Sequence, residues 1–280
     1  MKTSQQLKDL INNKAKEFDL NPQVLLNRFF MERFLERISI SKYKNNFVLK
    51  GGVLISSIVG IDTRMTKDMD LTIQNLPLNE DVIKNVMGEI IAANINDATT
   101  FVLIDLISIR EGADYRGLKV RFNAAFDKTR TTIQIDITAG DKITPKEISY
   151  NYKLLLGNRS IDIISYPIET VLAEKIESIL SRSVANTRMK DFYDCYLLSR
   201  SHEKIINFEI LFTAVKNTAK ERRAESIFEN TDKNIELIKT DDSIKHSWFA
   251  YSKQFSYASG ISFDAIVSEL EVLLKKVGIL

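Results

Sequence analysis

Apolar positions recur along the chain with two rhythms, one of about 3.6 residues and one of two, and the change between them marks the elements. Helical spacing runs through residues 3–18 and again through 22–38, where Asn21 supplies a cap and Pro22 a first-turn proline. FVLK (47–50) reads as a short strand, and VLISSIVG (53–60) as a buried helix that opens at Gly51 and Gly52. DMDLTIQ (68–74) alternates: Met69, Leu71 and Ile73 fall on one face, Asp68, Asp70 and Thr72 on the other. Residues 80–93 are helical in pattern, and 101–109 read as a strand. Period two returns in 118–126 and in 131–138, where Ile133, Ile135 and Ile137 oppose Thr132, Gln134 and Asp136.

From about residue 165 the pattern is helical to the end of the sequence. Strands mixed with helices, then helices alone, predict an α+β lobe with a mixed sheet followed by an all-helical lobe. Asp141, Pro145, Gly157 and Pro167 punctuate the stretch 140–165, and the expected division is 1–155 and 156–280. Internal repeats and low-complexity tracts are absent from the sequence.

Composition narrows the classes. Lys and Arg number 39 against 37 Asp and Glu, so bulk charge does not drive nucleic-acid binding, and only a local basic groove could. One cysteine, Cys195, excludes an intramolecular disulfide, and His202 and His246 lack metal-ligand spacing, which argues against zinc. The first residues, MKTSQQLKDLINNKAKEF, have no apolar core of the signal-peptide kind, and no apolar run approaches the ~20 residues of a membrane span. A cytoplasmic protein with no membrane partner is expected.

Candidate chemistry starts at the glycine pair. Gly51 and Gly52 end a strand and open a helix, where outward-pointing amides and the missing Cβ suit a phosphate; a tight turn that binds nothing is the alternative. Asp68 and Asp70 share one strand face. Carboxylates that close repel each other unless a cation intervenes, and Mg²⁺ prefers such oxygens; the alternative is a solvated strand end. If the strand carrying Asp136 lies beside 68–74, a third carboxylate joins them.

The helical half adds a second signal. On a helix over 167–182, Val171, Leu172, Ile176 and Ile179 make an apolar arc that includes Lys175, with Arg182 near it and Glu174 and Glu177 turned away. A lysine on the inner face needs an internal salt bridge, a route to water, or an anionic ligand such as NTP phosphates. In 187–198, Arg188 and Asp191 share a face that Cys195 continues, while Asp194 is read as structural. Arg188 can meet a phosphate or the third carboxylate, and Asp191 can hold Lys175 or act as a base; a structural ion pair between two helices is the alternative. Residues 115–130 carry Arg116, Lys119, Arg121, Lys128 and Arg130 beside Asp114 and Asp127, a surface for RNA or triphosphate or a solvated hairpin face. Lys220, Arg222 and Arg223 form a less informative basic run. Trp248 and Tyr251 are expected in the core.

The order strand, GG, helix, DxD strand, later acidic strand resembles the polymerase β-like nucleotidyltransferase superfamily. With AEK inside YPIETVLAEKIESIL and with RMKDFYDCYLL, residues 45–200 resemble the AbiEii/AbiGii nucleotidyltransferase toxins of type IV toxin–antitoxin and abortive-infection phage-defence systems. The resemblance implies a bilobed, Mg²⁺-dependent enzyme that transfers nucleotides from an NTP, a cognate antitoxin, and tRNA as partner, its 3′ end being the acceptor in characterised relatives. Carried over position by position, Gly51 and Gly52 match the phosphate turn, Asp68 and Asp70 the metal acids, Lys175 and Asp191 the essential lysine and aspartate. Asp136 matches the third acid more weakly. Gly52 departs from the serine that many superfamily members have there, so a phosphate contact would rest on backbone amides.

The expected function is therefore a monomeric toxin adding NMP to an RNA. Asp68, Asp70 and Asp136 would hold Mg²⁺; Gly51, Gly52, Lys175 and Arg188 would hold the NTP; Asp191 would complete the site. Two other readings remain: nucleotidyl or phosphoryl transfer to a protein such as the antitoxin, and an NTP-binding regulator without turnover.

Overall fold

A computed structural model describes residues 2–111 and 115–280. Helices α1 (Ser4–Phe18) and α2 (Pro22–Ile40) lead into β1 (Phe47–Lys50), α3 (Gly51–Val59), β2 (Met69–Ile73) and α4 (Glu80–Ala92). Strands β3 (Thr99–Glu111), β4 (Tyr115–Phe126), β5 (Thr129–Ala139), β6 (Ile148–Lys153) and β7 (Ser160–Ser165) follow. Then come α5 (Ile168–Arg182), α6 (Met189–His202), α7 (Phe208–Glu221), α8 (Thr231–Thr240), α9 (Asp242–Gln254) and α10 (Phe263–Val277). The α+β order expected from the alternation is the order observed. Among the described residues no helix is long and apolar enough to cross a membrane.

The chain forms two compact units. The first comprises the chain through Gly140 together with Ile148–Ser165; the second comprises Asp141–Glu147 and Tyr166–Leu280. The expected division at 155/156 falls in the β6–β7 connection. Both strands belong to the sheet of the first unit because β7 pairs in parallel with β1, Val48 opposite Ile164.

That sheet is mixed and seven-stranded, in the order β3-β4-β5-β2-β1-β7-β6. Its apolar face carries the predicted positions: Met69, Leu71, Ile73, Ile133, Ile135 and Ile137 are all buried. Helix α2 packs on this sheet and buries Phe29, Phe30 and Phe34; Phe34 meets Phe122 of β4 at 5.3 Å between ring centroids. Helix α2 is also buried on its charged positions, Arg28, Glu32, Arg33, Glu36 and Arg37. Buried charges need partners. Arg28 Nε donates to Glu32 at 3.0 Å, and Glu32 also accepts from the Tyr152 hydroxyl and the Leu155 amide. Arg28 further reaches the Val53 carbonyl and the Ser56 hydroxyl, which fixes α3 against α2.

In the helical unit α5 is the central helix, with Val171, Leu172, Ile176 and Ile179 in the core. Segment 141–147 is tied to it by Thr144, whose amide donates to Thr170 Oγ1 and whose carbonyl accepts from that hydroxyl, both at 2.9 Å. Trp248 is buried as expected, its Nε1 donating to the Ile261 carbonyl at 2.9 Å, while Tyr251 is half-buried among Tyr193, Phe255 and Tyr257.

Candidate active site

In the first unit, strand pairing decides which acids meet. β2 and β5 are parallel neighbours, and their register sets Asp70 opposite Asp136. The pairing continues in both directions: Lys50 of β1 lies opposite Asp70, and Lys119 of β4 opposite Asp136. A row across four strands thus reads Lys50, Asp70, Asp136, Lys119. Two like charges directly opposite each other destabilise a sheet. The Asp136 carboxyl is accordingly pushed above its usual range, first by burial and then by Asp70 and Asp68, with Lys119 and the Gln134 hydrogen bond opposing. Lys119 Nζ stands 3.8 Å from Asp136 Oδ1.

Asp68 precedes β2 and is half-buried. Its Oδ1 accepts from the Thr66 hydroxyl at 2.7 Å. Among the described residues no three His, Cys, Asp or Glu side chains are gathered tightly enough to hold a metal ion as they stand. The donor set nevertheless fits a hard divalent cation: Asp68, Asp70 and Asp136 offer only carboxylate oxygen, and their mutual repulsion is what a cation would remove.

The glycine pair acquires a reason that the sequence could not give. Gly51 has φ 65°, in the left-handed region. A Cβ there would come within 2.0 Å of Asp70 Oδ2 and 2.8 Å of Asp70 Cβ. A Cβ on Gly52 would come within 2.8 Å of both Cβ and Oγ1 of Thr66. So Gly51 gives room to one acid and Gly52 to the threonine that holds the other. No side-chain cap closes the start of α3, the polarity that suits an anion at the first-turn amides.

The basic stretch divides. Lys119 joins the carboxylate row, whereas Arg121 is taken by Asp105, Nε to Oδ1 at 2.8 Å. Asp127 accepts from the Ser4 amide at 2.9 Å, the Lys128 amide donates to the Ser4 hydroxyl, and Arg130 is exposed. Asp114 and the side chain of Arg116 lie outside the described residues.

In the helical unit Lys175 Nζ lies 2.6 Å from Asp191 Oδ1 and 3.3 Å from Asp194 Oδ2. Ser178 Oγ donates to the other Asp191 oxygen at 3.2 Å. Asp191 and Asp194 are buried and Lys175 retains a small exposed surface. The lysine is thus held in an internal salt bridge with two acids. Asp194, read from sequence as structural, is one of its partners; its i,i+3 spacing from Asp191 was the available signal. Arg188 sits half-buried at the start of α6, its amide donating to Asn186 Oδ1. Cys195, beside this group, has its thiol pushed well above the usual range by burial and then by Asp191 and Asp194. Glu174 and Glu177 turn away from Lys175 as expected and both bind Arg222, which removes that arginine from a basic surface run.

A family model described as the nucleotidyl transferase AbiEii toxin of type IV toxin–antitoxin systems matches residues 33–269. Among solved structures, a candidate nucleotidyltransferase from H. pylori is 16% identical with a TM-score of 0.55, over 92% of this chain and 96% of that one. JHP933 from Helicobacter pylori is 17% identical with a TM-score of 0.53, over 92% and 93% of the two chains. At that identity the likeness is one of fold. Comparison with curated proteins finds no match.

Proposed function

Given that the chain belongs to the AbiEii family of nucleotidyl transferase toxins of type IV toxin–antitoxin systems, we propose that it transfers NMP from an NTP to an RNA, the tRNA 3′ end, and does so with Mg²⁺. Membership makes it an enzyme of the nucleotidyltransferase class, with an NTP substrate and an antitoxin counterpart. The acceptor and the metal are the proposal. The observation that carries it is the register that sets Asp70 opposite Asp136, with Gly51 against Asp70.

In this reading Asp68, Asp70 and Asp136 hold the cation. When bound, it offsets charge on the triphosphate, favours loss of the acceptor hydroxyl proton and steadies the leaving pyrophosphate. The new bond joins the acceptor oxygen to the α-phosphorus, the α–β anhydride breaks, and the proton leaves to water. Lys119 offsets part of the acidic charge at Asp136. The first amides of α3 orient phosphate oxygens. Lys175 and Arg188 of the helical unit are each assigned to phosphate, with Asp191 and Asp194 holding the Lys175 ammonium in place. The protein acts in the cytoplasm, as a monomer.

The test is incubation of the full chain and Mg²⁺ with total tRNA and each α-³²P-labelled NTP, beside Asp70→Ala. Label on tRNA that disappears in the variant supports the reading and names the nucleotide. Unlabelled tRNA with label on a protein band moves the acceptor to a protein. No label and no pyrophosphate from a folded, NTP-binding protein refutes turnover.

A further inference from the structure

We propose that Thr66 is a positioning residue for the metal-binding acids, acting through Asp68; the inference rests on the nucleotidyltransferase reading of that site. Asp68 needs such a device. It lies before the first residue of β2, so no strand ladder fixes its backbone as it does for Asp70. The Thr66 hydroxyl lies 2.7 Å from Asp68 Oδ1 and 3.2 Å from the Asp68 carbonyl oxygen. It has one proton, which goes to the nearer acceptor. That bond orients the carboxylate and leaves Oδ2 and the second lone pair of Oδ1 for a cation.

Thr66 is itself fixed. Its Cβ, Oγ1 and Cγ2 lie over the Cα of Gly52, where an added Cβ would stand 2.8, 2.8 and 3.3 Å from them. The absence of a side chain at 52 is therefore what lets the threonine approach α3. One hydroxyl links the start of the helix assigned to phosphate with the acid assigned to metal. Groups that orient metal ligands in this way change metal affinity about 10–100-fold when removed.

The test measures Mn²⁺ binding to the full chain by calorimetry, with no nucleotide or RNA present, so the readout is independent of turnover. Thr66→Val keeps the shape and removes the hydroxyl; we expect binding about 10-fold weaker. Thr66→Ser, which restores the hydroxyl, should bind within about 3-fold of the parent, a rescue that a purely steric role would not give. Thr66→Val in an Asp68→Ala background should bind no more weakly than Asp68→Ala alone. Should Thr66→Val melt far below the parent, Thr66→Ala carries the same comparison with less steric risk. Thr66→Val binding as tightly as the parent, while Asp68→Ala is weakened, overturns the proposal and leaves the site reading intact. Asp68→Ala binding as tightly as the parent overturns the metal role of Asp68, and the Thr66 proposal with it.

Discussion

Gly51→Ala places a methyl group where Asp70 already stands. The backbone at 51 has φ 65°, which costs an L-residue about 1–2 kcal/mol. The new Cβ would lie 2.0 Å from Asp70 Oδ2, 2.6 Å from Cγ and 2.8 Å from Cβ. Rotating the Asp70 side chain clears the first two contacts and not the third, so β2 or α3 must shift. Such overpacking costs about 1–3 kcal/mol. The sum, about 2–5 kcal/mol, corresponds to a fall in Tm of about 10 °C, read by circular dichroism or differential scanning fluorimetry. Nucleotide transfer should be lost as well, since Asp70 is displaced. The diagnostic partner is Asp70→Gly, which should itself lose transfer but lacks the side chain that clashes. In the double variant the overpacking disappears and only the backbone cost remains, so the two substitutions should be non-additive by about 1–3 kcal/mol. A Gly51→Ala protein that melts within about 1 °C of the parent, or a double variant whose losses simply add, would refute the claim that Gly51 exists to admit Asp70.

The other predictions concern buried charge. Glu32→Gln should destabilise by about 1–3 kcal/mol, because its amide nitrogen cannot accept the bonds that one Glu32 oxygen takes, whether from the Leu155 amide or from Arg28 Nε and the Tyr152 hydroxyl, and a buried donor is left unpaired. Burial holds the Glu32 carboxyl above its ordinary 4.5, so the stability tied to its protonation is full below that value and declines as pH rises through the folded-state value. The gap between parent and Glu32→Gln should therefore narrow with rising pH in denaturant titrations; a gap that widens reverses the argument. Lys175→Met leaves Asp191 and Asp194 buried without their shared cation, at a cost of about 3–5 kcal/mol, and adding Asp194→Asn should recover part of the lost Tm. Cys195 should resist a thiol reagent at neutral pH until the helical unit unfolds, so fast labelling of native protein would contradict its burial and raised thiol.

Period-two alternation revealed β4 and β5 because each has one face on the core and one off it, and β2 because Asp70 and Thr72 alternate with Met69, Leu71 and Ile73 although Thr72 is buried as well. It did not reveal β6, an edge strand with Tyr152 alone fully buried, since a strand with little to bury has little pattern. Nor did it disclose that α2 buries its arginines and glutamates; a helix read by its apolar stripe gives no sign that the other face is covered too. The acids were visible as polar-face residues. That Asp70 faces Asp136 depends on β2 and β5 being neighbours, and adjacency is a property of the whole sheet. Thr66 was beyond reach for a similar reason: its role comes from packing on a glycine fourteen residues earlier, and an isolated threonine in a loop carries no signal.

The chain passes between its two units three times, at 140/141, 147/148 and 165/166. A single break in the gene therefore cannot separate them. A fragment ending at Gly140 lacks β7 and bares the side of β1 that β7 covers, while one ending at Ser165 carries off Thr144 and its bonds to Thr170 and Asn217. Recombination that exchanges either unit with a relative must cut at three matched points or break a core. The two units are thus bound to a shared inheritance, and lineages of this protein should diversify by point substitution and loop change instead of by swapping halves.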